Sequence, residues 1–184
     1  MADMAVAERR EKLAGSSGGG STVTVKPAPP AERLVLRASE DALNSLSRAL
    51  GVTLPKRPKQ SARSKSGKRA ALWLGPDEWL VIDADGAGLM GDAAKAKALH
   101  SAVDVSHRNV GIMVEGEGAE ACLAAGCPQD LSLAAFPVDA CSRTVLGKVE
   151  IVLWRTDEQV FRVEVWRSFA DYAFAFLAEA ARDV

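Results

Sequence analysis

Between Leu72 and Ile82 the chain reads Leu-Trp-Leu-Gly-Pro-Asp-Glu-Trp-Leu-Val-Ile, two apolar runs around a Gly-Pro-Asp-Glu turn. Pro76 stands where a fixed φ pre-sets a type I turn, so the stretch predicts a tight β-hairpin. Neither run alternates with polar residues, so this piece of sheet should be covered on both faces. A buried Trp removes roughly 150–250 Å² from water, an upper bound near about 4–6 kcal/mol for each of Trp73 and Trp79. The rest of the chain reads around that hairpin. Arg33–Arg37 predicts the first strand. Ser39 then stands as an N-cap before the helical stripe Leu43, Leu46, Leu50, which ends at Gly51. Gly91–Ala102, rich in Ala and Lys, predicts a surface helix, Asn109–Glu115 a strand, and Gly118–Ala125 a short helix closed by Gly126. Two strands follow at Lys148–Trp154 and Val160–Trp166. In the second, Phe161, Val163 and Val165 alternate with Arg162, Glu164 and Trp166, the pattern of a half-buried strand. The last helix starts at Ser168, with Asp171 serving its first turn, and carries the stripe Phe169, Tyr172, Ala173, Phe176, Leu177, Ala180. Phe174 lies off that stripe.

This order, β-α-β-β-α-β-α-β-β-α, predicts an α+β fold of antiparallel sheets with helices, built as two split βαβ-like halves. Residues 1–31 read as a disordered tail and linker: Gly15–Gly20 is Gly/Ser-rich, and Pro27, Pro29 and Pro30 oppose regular structure. Residues 32–184 are then a single α+β domain. Within it, 55–69 reads as an exposed loop carrying Lys56, Arg57, Lys59, Arg63, Lys65, Lys68 and Arg69 with no acid.

Composition narrows the function. A formal net charge of −1 does not suit a dedicated nucleic-acid binder, and the basic run has no interleaved aromatic on which a base would stack. No apolar run approaches the ~18 residues of a membrane span. The N-terminus lacks the apolar core of a signal peptide, and the odd count of three cysteines fits thiols kept reduced in a cytoplasm.

Candidate chemistry is sparse. Gly116-Glu-Gly118-Ala-Glu-Ala121 has dinucleotide-loop spacing, but Glu115, Glu117 and Glu120 would crowd a pyrophosphate with like charge, so it reads as a strand-to-helix turn. Ser106 and His107 are neighbours on a strand end and point to opposite faces, which denies them a nucleophile–base contact. Arg108 beside them has the fork to grip a carboxylate, on this chain or a partner. Cys122, Cys127 and Cys141 with His100 and His107 lack metal-ligand spacing, and Asp77-Glu78 is explained by the turn. No catalytic residue, cofactor site or metal site is expected. If the chain bound folate itself, Asp104 for the pterin and Arg108 for the glutamate tail would be the pair.

Seven short motifs, in order, carry a resemblance. They are Leu-Gly-Pro-Asp-Glu-Trp-Leu at 74–80, Asp104-Val-Ser-His-Arg108, Gly126-Cys-Pro-Gln-Asp-Leu131, Ala135-Phe-Pro137, Cys141 to Thr144, Leu153-Trp-Arg155 and Arg167-Ser-Phe-Ala-Asp-Tyr172. From about residue 32 onward the chain resembles the gamma subunit of heterotetrameric sarcosine oxidase. That resemblance implies a fold like the folate-binding domain of the glycine-cleavage T-protein. It implies a cytoplasmic complex with alpha, beta and delta subunits that demethylates sarcosine to glycine, yields hydrogen peroxide and passes the one-carbon unit to tetrahydrofolate. FAD, FMN, NAD, zinc and tetrahydrofolate would then belong to the other subunits, and this chain would be a structural, non-catalytic member. The gamma-like subunit of N-methylglutamate dehydrogenase and a free-standing folate-binding one-carbon protein are the alternatives. On the structural reading, Trp73, Trp79, Arg108, Trp166 and Phe174 are the candidate contacts to a partner, with no nucleic acid and no membrane involved.

Overall fold

A computed structural model describes residues 11–86 and 88–184. The strands are β1 (Gly18–Gly19), β2 (Thr24–Pro27), β3 (Glu32–Ala38), β4 (Ser61–Arg63), β5 (Arg69–Gly75), β6 (Glu78–Asp83), β7 (His100–Asp104), β8 (Asn109–Glu115), β9 (Cys141–Leu146), β10 (Val149–Asp157) and β11 (Val160–Trp166). The helices are α1 (Leu43–Leu50), α2 (Leu89–Ala93), α3 (Ala119–Ala124) and α4 (Ala170–Ala180). Two antiparallel sheets result, ordered β1-β2-β8-β11-β10-β9 and β4-β5-β6-β3-β7. The α+β class with two sheet-plus-helix halves is as the sequence predicts.

Burial sorts the molecule into four layers. Leu43, Leu46 and Leu50 of α1 and Leu89 of α2 pack on Leu34, Leu36, Trp79 and Val81 of the five-stranded sheet. The opposite face of that sheet (Ala70, Leu72, Leu80, Ile82) meets Cys141, Val152 and Trp154 of the six-stranded sheet. The outer face of the second sheet (Ile112, Ile151, Leu153, Phe161, Val163) is covered by Cys122 and Leu123 of α3 and Ala173 and Leu177 of α4. The order is helix, sheet, sheet, helix. This explains why the β5–β6 hairpin has no polar alternation: it is an inner layer with apolar neighbours on both sides.

Several expectations are corrected. Residues 11–31 are not a loose tail: β2 pairs with β8, and Leu13, Val23 and Val25 are buried in the outer core. Residues 1–10 of that predicted tail lie outside the described residues. The Gly/Ser composition has a packing reason, because a Cβ on Gly18 would meet the Cβ of Ala178 at 2.6 Å and push the strand off α4. The run 55–69 contains β4 and the start of β5, and four of its seven cations are held in ion pairs. Lys56 pairs with Glu40, Arg63 with Asp139, Lys68 with Asp85, and Arg69 with Asp83 and Asp92.

Of the helix predicted over 91–102, the helical part lies in α2, which ends at Ala93, and the C-terminal part is β7, recruited by the open side of β3. Helix propensity there yields to strand pairing. β9, not predicted, forms a hairpin with β10 through Gly147, whose φ of 57° suits the tight turn. Ser39 and Ser168 do not cap the main helices. Each precedes or lies in a single 3₁₀ turn, and α1 and α4 start at Leu43 and Ala170.

Candidate functional site

The polar face of β11 is not wet, as its alternation suggests, but sealed between the sheets. Arg33 on β3 grips Glu164 with Nε to Oε2 at 2.5 Å and Nη2 to Oε1 at 3.1 Å, while Arg162 Nε donates to Oε1 at 2.7 Å. All three residues are buried. Burial pushes the Glu164 carboxyl up, but Arg162 and Arg33 outweigh it and hold it below the ordinary carboxylate range. This cluster ties the two sheets together across their interior. Sequence pattern missed it because an Arg-x-Glu alternation is the same whether the polar face meets water or a counter-charge from another sheet.

Beside it opens a cleft of about 800 Å³ bordered by the residue 27–31 segment, Arg33, Asp104, Ser106, Asn109 and Arg167. Its polar groups hold the fold. Ser106 Oγ accepts from Arg33 N (2.8 Å) and donates to Asp104 Oδ1 (2.5 Å), which also accepts from Ser106 N (2.8 Å). Glu32 caps α2 by accepting from Gly88 N and Leu89 N at 2.7 and 2.9 Å, and Asp85 pairs with Lys68. Of the two folate candidates, Asp104 borders this cleft, and Arg108 borders a small opening between the sheets with Val35, Leu74 and Trp166. Ser106 works as a backbone brace, not beside His107.

The cysteines are buried and free. Burial pushes the Cys122 thiol up to about 11 and the Cys141 thiol up to about 12, so neither is a thiolate at neutral pH. Among the described residues no group of three or more His, Cys, Asp or Glu is placed to hold a metal ion, and no helix is long and apolar enough to cross a membrane. Gly116 and Gly118 form the strand-to-helix turn into the six-residue α3.

The five partner-contact candidates separate. Trp79 is 1% exposed, and its Nε1 donates to Pro55 O at 2.7 Å. Trp73, its cross-strand partner, is half-buried against the same core. Phe174 is buried in the outer core. Trp79 and Phe174 are therefore corrected: the layers of this chain cover them. The stripe on α4 is rotated one position from the predicted one, with Ala170, Ala173, Phe174 and Leu177 inside. Small residues at 170 and 173 bring that side of the helix closest to the sheet, so the bulkier Phe169 and Tyr172 are turned out.

Those rings form an exposed aromatic face with Trp166. Trp166 and Phe169 are each 42% exposed and Tyr172 39%. Trp166 stacks on Phe169 with centroids 6.3 Å apart, and the Arg108 guanidinium lies 4.8 Å above the Trp166 ring. Trp, Tyr and Arg are the side chains that dominate binding energy at protein interfaces.

The fold defines the class of protein first. The chain is similar to the aminomethyltransferase T of the glycine cleavage system from Bartonella henselae, with a TM-score of 0.61 at 13% identity over 90% of this chain and 50% of that one. That likeness places the chain in the T-protein fold and says nothing more. It is also similar to a chain of the heterotetrameric sarcosine oxidase from Corynebacterium sp. U-96, with a TM-score of 0.85, 29% identity and 94% of each chain covered. The sarcosine oxidase subunit gamma of an Arthrobacter sp is 33% identical over 177 residues, 92% of this chain and 87% of that protein. Residues 37–183 match the model of the sarcosine oxidase, gamma subunit family, and the chain belongs to that family. These matches do not favour the N-methylglutamate dehydrogenase or free-standing folate protein alternatives.

Proposed function

We propose that this chain is a non-catalytic assembly subunit of a heterotetrameric sarcosine oxidase and is held to its neighbours through the Trp166–Phe169–Tyr172 face with Arg108. The alpha, beta and delta subunits are its partners in the cytoplasm. Demethylation of sarcosine to glycine, formation of hydrogen peroxide and one-carbon transfer to tetrahydrofolate take place on those subunits, which carry FAD, FMN, NAD and zinc. The observation that carries this reading is the contrast in polar and aromatic use. The buried charges and the groups around the large cleft are spent on bracing the fold, while three aromatic side chains and a stacked guanidinium are left at the surface.

The test is co-expression of the four subunits with a tag on this chain. Replacing Trp166 and Phe169 together by Ala should lower recovery of the flavin-bearing subunits by about tenfold or more, a loss of roughly 1.4 kcal/mol or more of contact energy. A complex that assembles and turns over sarcosine normally without this chain contradicts the proposal. So does saturable binding of tetrahydrofolate to the isolated full chain.

A further inference from the structure

We infer that β7 is a docking edge, on which an extended segment of another subunit of the complex adds as a sixth strand to the five-stranded sheet. This rests on the assembly role proposed above and specifies how the contact is made. Among the described residues the two sheets leave four edge strands, β1 and β9 in one and β4 and β7 in the other. Exposed edges are ordinarily kept from pairing by being short, charged or covered. β1 is two residues long and lies against α4. β4 is three residues long, carries Arg63 and is tied to Asp139 by Ser61 N to Asp139 O at 3.1 Å. β9 carries Arg143, paired with Glu78.

β7 is longer than β1 and β4, and its one acid, Asp104, stands at its last position. It is five residues long with no Lys, Arg or Pro. Leu99, which leads into it, is 91% exposed, and Val103 within it is 53% exposed. Its hydrogen-bonding phase is fixed by Val105 N donating to Arg33 O at 2.9 Å. Antiparallel pairs alternate, so Val103 and Ser101 bond to Val35 and Arg37, while His100 and Ala102 turn their N–H and C=O groups outward. A row of backbone donors and acceptors beside apolar side chains takes an extended strand and little else.

The occupant is another subunit because the edge continues into the aromatic face. Val103 is the cross-strand neighbour of Val35, and Val35 shares the small inter-sheet opening with Arg108 and Trp166. A strand of this length alone falls well short of the roughly 1,200–2,000 Å² of a stable interface, so the contact also draws on the aromatic face, one strand away through Val35 and the inter-sheet opening. Exposed Lys97 at the entrance to β7 makes an acidic residue the complementary charge on the incoming segment.

Backbone hydrogen exchange on the full chain, alone and in the purified four-subunit complex, tests this. The amides of His100 and Ala102 should exchange roughly 100-fold more slowly in the complex. Ala102→Pro removes an outward N–H while leaving every bond to β3, so with Leu99→Glu as a second, side-chain variant each should cut recovery of the co-expressed subunits by about tenfold. Val145→Lys on β9 should not change recovery. Equal exchange at His100 and Ala102 in both states overturns the inference, as does wild-type recovery of Ala102→Pro. If Trp166→Ala blocks assembly while those two outcomes occur, the assembly role stands and strand addition alone falls. Protection of the same amides in a free chain that sediments as a dimer names a second copy as the occupant and overturns it too.

Discussion

Two tryptophan-bearing regions of this molecule put the same side chain to opposite uses. At the β5–β6 hairpin, Trp79 sits under α1 with its indole nitrogen bonded to the Pro55 carbonyl, and Trp73 packs beside it. At the β11–α4 junction, Trp166 stands half in water, with Phe169 stacked against it and the Arg108 guanidinium 4.8 Å from its ring. What differs is the layer. The hairpin lies inside a helix–sheet–sheet–helix stack and has neighbours on both faces. Trp166 falls where one sheet ends and the chain leaves for α4. The first Trp stabilises the fold, and the second is left 42% exposed at the surface. An apolar residue advertises a partner only when its own layer does not already cover it.

The largest effect should come from Trp79→Ala. A cavity in the helix–sheet core and an orphaned Pro55 carbonyl should cost about 3–5 kcal/mol, read by chemical denaturation of the full chain. Next, Glu164→Ala leaves Arg33 and Arg162 facing each other between the sheets and should cost about 3 kcal/mol. A smaller effect there would mean that the sheets are held by apolar contact alone. Glu164 also sets a pH signature. Its folded carboxyl is held below its unfolded value by the two arginines. The stability it supplies is therefore present above the unfolded carboxylate range and is lost as pH falls through the folded value. Acid titration of stability should be shallower in Glu164→Gln. Trp166→Ala should change stability by about 1 kcal/mol or less while weakening assembly, which separates it from Trp79→Ala. Smallest of all, Arg37→Ala removes an exposed partner of Glu78 and should leave the denaturation midpoint of the full chain close to that of the unsubstituted chain.

Much of the architecture was legible in the sequence because it follows from periodicity and turns. The hairpin at 72–82, the strands at 109–115 and 160–166 and the two-sided burial of β5–β6 needed only local pattern. What was not legible depended on partners far away in the chain. Gly18 and Gly20 look like linker residues until α4 and the residues just after it are seen lying on them. Residues 100–102 look helical until β3 offers an edge. Arg162 and Glu164 look solvated until Arg33 arrives from the other sheet. On α4, two apolar stripes lie side by side, and only the closeness allowed by Ala170 and Ala173 decides which faces in. The same limit applies to the candidate site. Arg108 and Trp166 were found as candidates and lie together at the surface, but Trp79 was chosen for its two-sided apolar hairpin and Phe174 for lying off the predicted stripe, and neither ground says which layer covers them.

The central claim is that the Trp166–Phe169–Tyr172 face is covered by another subunit. Hydroxyl-radical footprinting of the full chain, free and within the purified complex, tests it most directly, with buried Trp79 as the internal reference. Oxidation of Trp166, Phe169 and Tyr172 should fall by about tenfold or more in the complex while Trp79 stays unmodified in both. Equal oxidation of those three rings in both states would contradict the account.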